Sequence, residues 1–295
     1  MKLHHDHMQR CGCVVVAWCL TALTASAWGP DGHMIVGRIA EKHLTPRTAH
    51  ELHDLLNPVP TDAPLTIASS EVVNWADDIR TDHPETKPWH FVDIPVDAAR
   101  YEYARDCRAP GGCIITAIEE FRRQLADRKT DRATRIEALK YLVHFVGDIQ
   151  MPLHCATRRG DKGGNMAWVR ELNDVKATRL HAFWDLTLVA KNMRAQGLGA
   201  MAYADSLNRA VTAEQREAWR VGTPADWAWE AHLLAVKEAY TGIPVFSKAV
   251  TLDATYIENG QRIVAGQLTK AGLRLAQLLN DVCDPSQSNT PVKRR

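Results

Sequence analysis

Histidine and aspartate recur at a spacing that places both side chains on one face of a helix. His144 and Asp148 are four residues apart, and so are His181 and Asp185. Residues at positions i and i+4 of a helix lie one above the other. His154 follows the first pair, just past the proline at which that helix is expected to end. Imidazole and carboxylate together are typical ligands of zinc and similar divalent ions, so the pattern predicts a metal site.

For either pair taken alone, an exposed ion pair is the alternative, with a contribution of about 0.2–0.5 kcal/mol. The flanking residues favour the metal. Both pairs are embedded in apolar sequence, namely Leu142, Val143, Phe145, Val146, Leu180, Phe183 and Trp184. Burying unpaired histidine and aspartate would be costly, whereas a bound cation satisfies their polar atoms. The two pairs together therefore indicate ligation.

The elements that must position these residues are almost all helical. Apolar residues recur with the helical period, and the predicted helices are 34–56 with a break near Pro46, 67–80, 114–126, 132–149, 181–193, 201–220, 227–240 and 253–279. Trp89–Pro95 is predicted to be extended, and Met166–Val175 to form a small hairpin. We expect an all-α fold with a single domain at residues 28–283, followed by a polar, disordered tail at 284–295.

The first 27 residues have the order of a secretory signal peptide. A weakly basic start precedes the apolar run Cys11–Leu23 and the small residues Ala25-Ser26-Ala27. Cleavage after Ala27 would make Trp28 the mature N-terminus, and it would place the protein in the periplasm or outside the cell. No later run of the sequence is apolar for long enough to form a membrane anchor.

Charge excludes one class of nucleic-acid protein. The chain has 36 basic and 35 acidic residues, a balance unlike the basic footprint of a protein that coats duplex DNA. If the substrate is a phosphate ester, a group other than lysine and arginine must meet its negative charge. This is consistent with a metal-dependent enzyme.

Four of the seven cysteines remain after the leader is removed. An even number in an exported chain favours two disulfides, for which three connectivities are possible. Cys107 and Cys113 enclose a Pro-Gly-Gly turn and are the favoured pair. By elimination, Cys155 is then expected to bond to Cys283.

An ordered set of motifs resembles the zinc-dependent single-strand-specific nucleases and 3′-nucleotidases of the S-one/P-one type, which belong to the phospholipase C/nuclease superfamily. The motifs extend over nearly the whole mature chain and are Trp28-Gly-Pro-Asp-Gly-His33, Trp75-Ala-Asp77, Trp89-His-Phe-Val-Asp93, His144-Phe-Val-Gly-Asp148, Pro152-Leu-His154, Asp161-Lys-Gly-Gly-Asn165 and Leu180-His-Ala-Phe-Trp-Asp185.

The resemblance implies a helical domain with three zinc ions in a cleft. The first ion would be bound by Asp77, His90, His144 and Asp148; the second by Trp28, through its free α-amine and carbonyl, with His33 and a bridging Asp148; the third by His154, His181 and Asp185. Asp77 and Asp148 would be the catalytic carboxylates, with Asp77 orienting the attacking water. Single-stranded DNA or RNA and nucleotides would be hydrolysed to 5′-phosphate products, and no stable protein partner is implied.

Four residues are candidates for substrate binding. Phe91 could stack on a base or serve as a core aromatic, and Asp93 could accept hydrogen bonds from a base edge. The family implies a phosphate contact for Asn165, while Lys162 is either a solvated charge or a contact to the nucleic-acid backbone. The family commonly has Asn-Leu-His where this chain has Arg179-Leu180-His181. Either a supporting bond is lost there or Arg179 faces the substrate.

Two rival functions differ from a nuclease. A zinc-dependent phospholipase C shares the implied fold and metals, but its substrate is a lipid headgroup. A non-enzymatic zinc-binding helical protein would fill every coordination position with protein atoms. The predicted ligands are too few to saturate three ions, which favours an enzyme.

Overall fold

A computed structural model describes residues 28–246 and 248–287, and most of them are helical. The α-helices are α1 (Pro30–Glu41), α2 (Pro46–Leu56), α3 (Ser70–Val73), α4 (Trp75–Asp78), α5 (Tyr103–Asp106), α6 (Ile114–Ala126), α7 (Arg132–Asp148), α8 (Leu180–Ala182), α9 (Leu188–Gln196), α10 (Ala200–Ala210), α11 (Ala213–Trp219), α12 (Pro224–Leu234) and α13 (Ala254–Cys283). The predicted mainly helical fold is confirmed.

Short turns and strands complete the structure. The 3-10 turns are Ile79–Thr81, Pro84–His90, Pro152–His154 and Pro285–Gln287, and the π-helical turns are Phe183–Thr187 and Ala235–Ala239. The strands are β1 (Trp168–Glu171), β2 (Thr178–Arg179) and β3 (Val250–Leu252). Their order is β2-β1-β3, with β2 antiparallel and β3 parallel to β1. The predicted hairpin is therefore present, although its second strand lies beyond Val175.

Local sequence signals mark the starts of α1, α7 and α13. Pro30 occupies the first turn of α1, where its missing N–H and fixed φ are no disadvantage. The side chain of Asp131 accepts a hydrogen bond from the Thr134 amide at the start of α7. Asp253 does the same for α13. Each cap satisfies an amide that has no partner within the helix, so the sequence fixes where these helices start.

The core forms where α13 packs against α1, α7 and α9. At Gly272 the helices α13 and α1 approach so closely that a Cβ would lie 2.5 Å from the side chain of Ile39. Of the last ten residues of α7, all except Lys140 are buried. Helix α7 therefore carries its final turn, with His144 and Asp148, into the centre of the molecule.

Three of the differences from the sequence prediction concern the number or kind of element. Residues 201–220 form two helices instead of one, because the Thr212 side chain caps a new helix, α11. The stretch 67–80 is split at Asn74 into α3 and α4. The segment that ends at His90 is a 3-10 turn, and only from Phe91 is the chain extended.

One of the two expected disulfides is present. Cys107 and Cys113 are bonded, whereas Cys155 and Cys283 are both buried free thiols. The second prediction was wrong because these cysteines lie near opposite ends of α7. Cys283 lies near Arg135 and Cys155 near Asp148; thirteen residues of helix separate those positions by about 20 Å.

The ends of the chain bear on the remaining predictions. The leader at 1–27 and residues 288–295 of the predicted tail lie outside the described residues. Asp284 is buried and accepts a hydrogen bond from the Thr45 hydroxyl at 3.0 Å, so the ordered structure includes the start of that tail. Across the described ranges, no helix is both long and apolar enough to span a bilayer.

Candidate metal centre

The eight side chains predicted to bind metal converge in three groups. Within each group the donor atoms all lie within 4.8 Å of one another, and the groups are His33 with His144 and Asp148, Asp77 with His90 and His144, and His154 with His181 and Asp185. They come from six separate segments of the chain. The fold thus gathers residues that the sequence spreads over its first two thirds.

Asp148, in the last turn of α7, joins two of the groups. Its Oδ1 lies 3.3 Å from His33 Nε2, and its Oδ2 lies 3.1 Å from His90 Nδ1 and 3.3 Å from His144 Nε2. The two carboxylate oxygens therefore face different sets of imidazoles. This is the arrangement that a carboxylate bridging two cations requires.

Asp77, from the short helix α4, completes the second group. Its Oδ1 lies 3.4 Å from His144 Nε2 and 3.5 Å from His90 Nδ1. The same oxygen lies 3.1 Å from the guanidinium of Arg80. Arg80 was missed in the sequence analysis, although its i+3 spacing from Asp77 is a detectable signal. The positively charged guanidinium of Arg80 therefore lies beside the carboxylate that is predicted to orient the attacking water.

The third group lies at the other side of the cluster. His154 Nε2 is 3.2 Å from His181 Nε2, and His181 Nε2 is 3.8 Å from Asp185 Oδ2. His181 belongs to α8 and Asp185 to the π-helical turn that follows it. Such turns are rare and are frequent at functional sites. The Asp185 carbonyl also accepts the Gly29 amide at 3.4 Å, which connects this group to the start of α1.

Backbone carbonyls orient three of the imidazoles. Each of these rings contacts a carbonyl oxygen at 2.7 Å through Nδ1, with His144 contacting Val73, His154 contacting His90 and His181 contacting Gly163. A carbonyl can only accept, so each Nδ1 carries a proton and each Nε2 is the nitrogen that faces the cluster. This outer hydrogen bond is characteristic of metal-ligating histidine.

Several buried atoms of the cluster have no hydrogen-bond partner. They are both ring nitrogens of His33, Nε2 of His90 and His144, and one oxygen each of Asp148 and Asp185. Leaving such atoms unsatisfied costs about 1–3 kcal/mol each. Neighbouring donor atoms of the cluster are 3.1–3.8 Å apart. Ligand atoms that surround zinc tetrahedrally at 2.0–2.1 Å are about 3.3–3.4 Å from one another, which lies within that range. The residues therefore fit divalent cations.

Burial and neighbouring charge shift the pKa values in a direction that favours ligation. Burial, followed by the repulsion of neighbouring imidazoles, lowers the pKa to about 3 in both His33 and His181. His144 differs, because burial opposes its charge but Asp148 and Asp77 outweigh it and raise its pKa to about 10. Burial raises the pKa of Asp185 well above its usual value. Without metal, the His144 ring is therefore protonated at neutral pH, and a bound cation would replace that proton.

Trp28 lies at the same centre. Its side chain is fully buried, and its indole Nε1 donates to the Gly147 carbonyl at 2.8 Å. A Cβ on Gly147 would lie 3.0 Å from His33 Nδ1 and 3.7 Å from Trp28 Cδ1. Residue 28 is therefore held beside His33 and next to the residue that precedes Asp148.

A cleft of about 550 Å3 opens over the cluster. All four predicted substrate-binding residues line it, namely Phe91, Asp93, Lys162 and Asn165. Phe91 keeps 38% of its surface exposed, so it is not the core aromatic of the alternative interpretation. Loss of hydration, together with Asp161 and Asp106, raises the pKa of Asp93. The basic side chains of Arg80 and Lys87 add positive charge to the cleft.

A buried network supports the loop that carries Lys162 and Asn165. Asp161 is fully buried and accepts hydrogen bonds from the Tyr240 hydroxyl at 3.1 Å and the Arg158 amide at 3.0 Å. The Arg158 guanidinium lies over the Tyr240 ring at 4.2 Å. Sequence reasoning did not find Tyr240, because it is distant along the chain from the loop that it supports.

A helical protein with clustered histidine and aspartate under an open cleft has the features of a metal-dependent hydrolase. Comparison with known sequences identifies the family. The S1/P1 Nuclease family matches residues 28–284, and the chain belongs to this family. The predictions of the family, of a hydrolase and of a phosphodiester-cleaving endonuclease are therefore confirmed.

Similar proteins are known from plants and fungi. Endonuclease 2 of Arabidopsis thaliana is 30% identical over 293 residues, which cover 91% of this chain and 95% of that protein. Nuclease S1 of Aspergillus oryzae is 28% identical over 86% of this chain and 91% of its own length. Nuclease P1 of Penicillium citrinum is 26% identical over 86% and 97%. The similarity thus extends over whole proteins.

Proposed function

We propose that the chain is exported, is cleaved after Ala27, binds three zinc ions and hydrolyses single-stranded DNA and RNA to 5′-phosphate products, with 3′-nucleotidase activity. Residues 28–283 would form the catalytic domain, preceded by the leader at 1–27 and followed by the tail at 284–295. The single observation that carries the proposal is the grouping of eight donor side chains, seven of them buried, under a cleft.

The assignment of ligands follows the three groups. The two oxygens of Asp148 would bridge the first ion, shared with Asp77, His90 and His144, and the second, shared with His33 and Trp28. His154, His181 and Asp185 would bind the third. A tetrahedral zinc site needs four donors, so this set completes the first ion and leaves the third, which has three residues, open to water or substrate. Bound zinc would supply Lewis acidity and a nucleophilic hydroxide at neutral pH.

The chain's own residues would orient that chemistry. Asp77 lies at the edge of the cleft and can accept a hydrogen bond from the attacking water. Burial opposes its charge, but His144 first, then His90 and Arg80, lower its pKa and keep the carboxylate ionised. Asn165 lines the adjoining wall; its Nδ2 donates to the Lys162 carbonyl at 2.9 Å, and the second hydrogen of that amide would donate to a phosphate oxygen.

Preference for single strands would come from base stacking. The exposed ring of Phe91 lines the cleft next to His90, and stacking on an aromatic side chain contributes about 1–3 kcal/mol for any base. A paired base has both faces covered in the duplex and cannot use such a platform. Asp93 beside it would accept from base amino groups, and Lys162 would contact the nucleic-acid backbone.

Export would explain two features. The family match begins at Trp28, the residue expected to follow the cleaved leader, and a free α-amine there would be a further ligand. The Cys107–Cys113 disulfide is typical of an oxidising compartment such as the periplasm or the cell exterior.

The experiment is a substrate comparison on the purified mature protein. We expect single-stranded DNA and RNA to be degraded to 5′-mononucleotides, duplex DNA of the same sequence to be cut much more slowly, and activity to disappear on chelation and return with zinc. Hydrolysis of phosphatidylcholine vesicles without cleavage of single strands would instead favour the phospholipase, and no hydrolysis of either would favour a non-enzymatic metal-binding protein.

A further inference from the structure

Next to the cleft, the small sheet presents an exposed face that the proposed catalytic residues do not use. Side chains alternate between the two faces of a strand, and directly paired residues share a face. Trp168 pairs with Arg179, and Arg170 pairs with Thr251. These four residues therefore share one face, while Val169 on the other face is fully buried. All four are exposed.

The chemistry of this face suits a polyanion with planar bases. Trp168 keeps 42% of its surface exposed, and the Arg179 guanidinium lies 5.8 Å from its ring centroid. Arg170 donates through Nε to the Thr251 hydroxyl, which holds a second guanidinium on the same face. The strand residues that share this face include two arginines and no carboxylate.

The face is continuous with the metal cluster through short backbone connections. Arg179 is two residues from His181, so their Cα atoms are at most about 7.6 Å apart. The Leu180 amide donates to the Ala167 carbonyl at 2.9 Å, and the Ala167 amide to the Gly164 carbonyl at 3.2 Å. Trp168 and Arg179 thus flank the helix that carries His181 and the loop whose Gly163 carbonyl orients that ring.

We propose that Trp168 and Arg179 form a nucleotide subsite outside the catalytic cleft, where Trp168 stacks on an unpaired base and Arg179 contacts the adjacent phosphate of the same strand. The occupant is a single-stranded polynucleotide, chosen by charge complementarity and by the continuity of the face with the cluster. The subsite rests on the proposed nuclease function and extends it.

A cation–π pair that merely stabilises the hairpin is the competing role, and substrate length separates the two. A mononucleotide is too short to occupy the cluster and the subsite together, whereas an oligonucleotide can reach both. A subsite therefore affects KM for the oligonucleotide alone. A structural pair would affect both substrates equally, because its loss would displace the neighbouring third group.

The test compares Trp168→Ala, Trp168→Phe and Arg179→Ala on a single-stranded oligonucleotide and on a 3′-mononucleotide. We expect Trp168→Ala to raise KM for the oligonucleotide about 5- to 150-fold, with kcat and the mononucleotide kinetics unchanged, and Trp168→Phe to retain most of the affinity. Arg179→Ala should reduce the slope of log KM against log salt by about 0.7, the value for one phosphate contact in a single strand.

Trp219→Ala is the matched control, because Lys270 lies over that ring at 5.5 Å in a comparable pair on α11 and α13. It should leave both substrates unaffected. An unchanged oligonucleotide KM in Trp168→Ala, or equal changes for both substrates, would overturn the subsite. Fluorescence anisotropy of a labelled oligonucleotide measures its binding to the wild type and to Trp168→Ala, and it tests the subsite without cleavage. A wild type that binds the oligonucleotide but cleaves nothing would refute the proposed function and leave the subsite standing.

Discussion

Asp148 Oδ1 lies 3.3 Å from His33 Nε2, across the contact between the first turn of α1 and the last turn of α7. The other oxygen of Asp148 faces His90 and His144. One carboxylate thereby connects the start of the described chain with the helix at its centre. In the proposed enzyme this residue would bridge two ions.

Replacing Asp148 by asparagine should remove metal from the two joined groups. An amide cannot supply two anionic oxygens to two cations, so we expect the zinc content to fall by up to two ions per chain. Substituting a residue that hydrogen-bonds to a metal ligand lowers metal affinity or activity about 10–100-fold. Replacing the ligand itself should therefore lower the activity by more than about 100-fold. Elemental analysis and single-strand hydrolysis measure both effects.

Asp284→Asn is the control for Asp148→Asn, since Asp284 is also a buried carboxylate but bonds to Thr45 and Ser286. Its metal content and activity should match those of the wild type. Full metal content in Asp148→Asn would contradict the bridging role.

An extra residue before Trp28 should weaken the second metal group. Extension converts the α-amine into an amide, which has no lone pair to offer a cation. We expect loss of about one zinc per chain and most of the activity in a protein produced with an added N-terminal alanine. Trp28→Phe with a free N-terminus is the comparison, because it keeps the amine and loses only the indole bond to Gly147. Equal metal content in the extended and the free forms would show that the amine is not a ligand.

Metal uptake should release a proton from His144. Its pKa in the metal-free cluster is raised to about 10, so the ring is protonated at pH 7 and must become neutral to bind. Affinity for zinc should therefore rise with pH up to about 10. The same proton stabilises the metal-free fold fully below pH 6.5, and this contribution is lost as the pH rises towards 10.

Calorimetry of zinc binding in two buffers with different ionisation enthalpies measures that release. At pH 7 we expect about one proton from His144, and fewer in His144→Ala. A binding enthalpy that is independent of the buffer would contradict the protonated state of this ring.

Tyr240→Phe should affect both stability and catalysis. The change leaves buried Asp161 without its hydroxyl donor at 3.1 Å, at a cost of about 1–3 kcal/mol in the free energy of unfolding. The loop that Asp161 anchors also supplies the Gly163 carbonyl to His181, so activity should fall about 10- to 100-fold. Denaturant unfolding and steady-state kinetics test this. Tyr141→Phe, a buried tyrosine outside the Asp161 network, should have a smaller effect, and equal effects would argue against the network.

Much of the site was predictable because its signals are local. The i, i+4 pairs on α7 and at 181–185, together with the family motifs, identified every side chain of the three groups. The predicted limits of α6 agree with the structure residue for residue, since its apolar residues recur regularly and a proline-free sequence lets the helix run uninterrupted.

The errors arose where the outcome depends on contacts between distant segments. Cys155 and Cys283 were paired by elimination, but the length of α7 keeps them apart. The break at Thr212 was missed because the apolar period continues through a residue whose side chain caps a new helix. Tyr240 acts through a partner that only the folded chain brings to it, whereas Arg80 is three residues from Asp77 and was overlooked although its signal is local.

Anomalous diffraction at the zinc edge from crystals of the purified mature protein is the most direct measurement. We predict three peaks, with two close together on either side of the Asp148 carboxylate and one apart between His154, His181 and Asp185. A single peak, or peaks away from these eight side chains, would contradict the trinuclear centre on which the proposed mechanism depends.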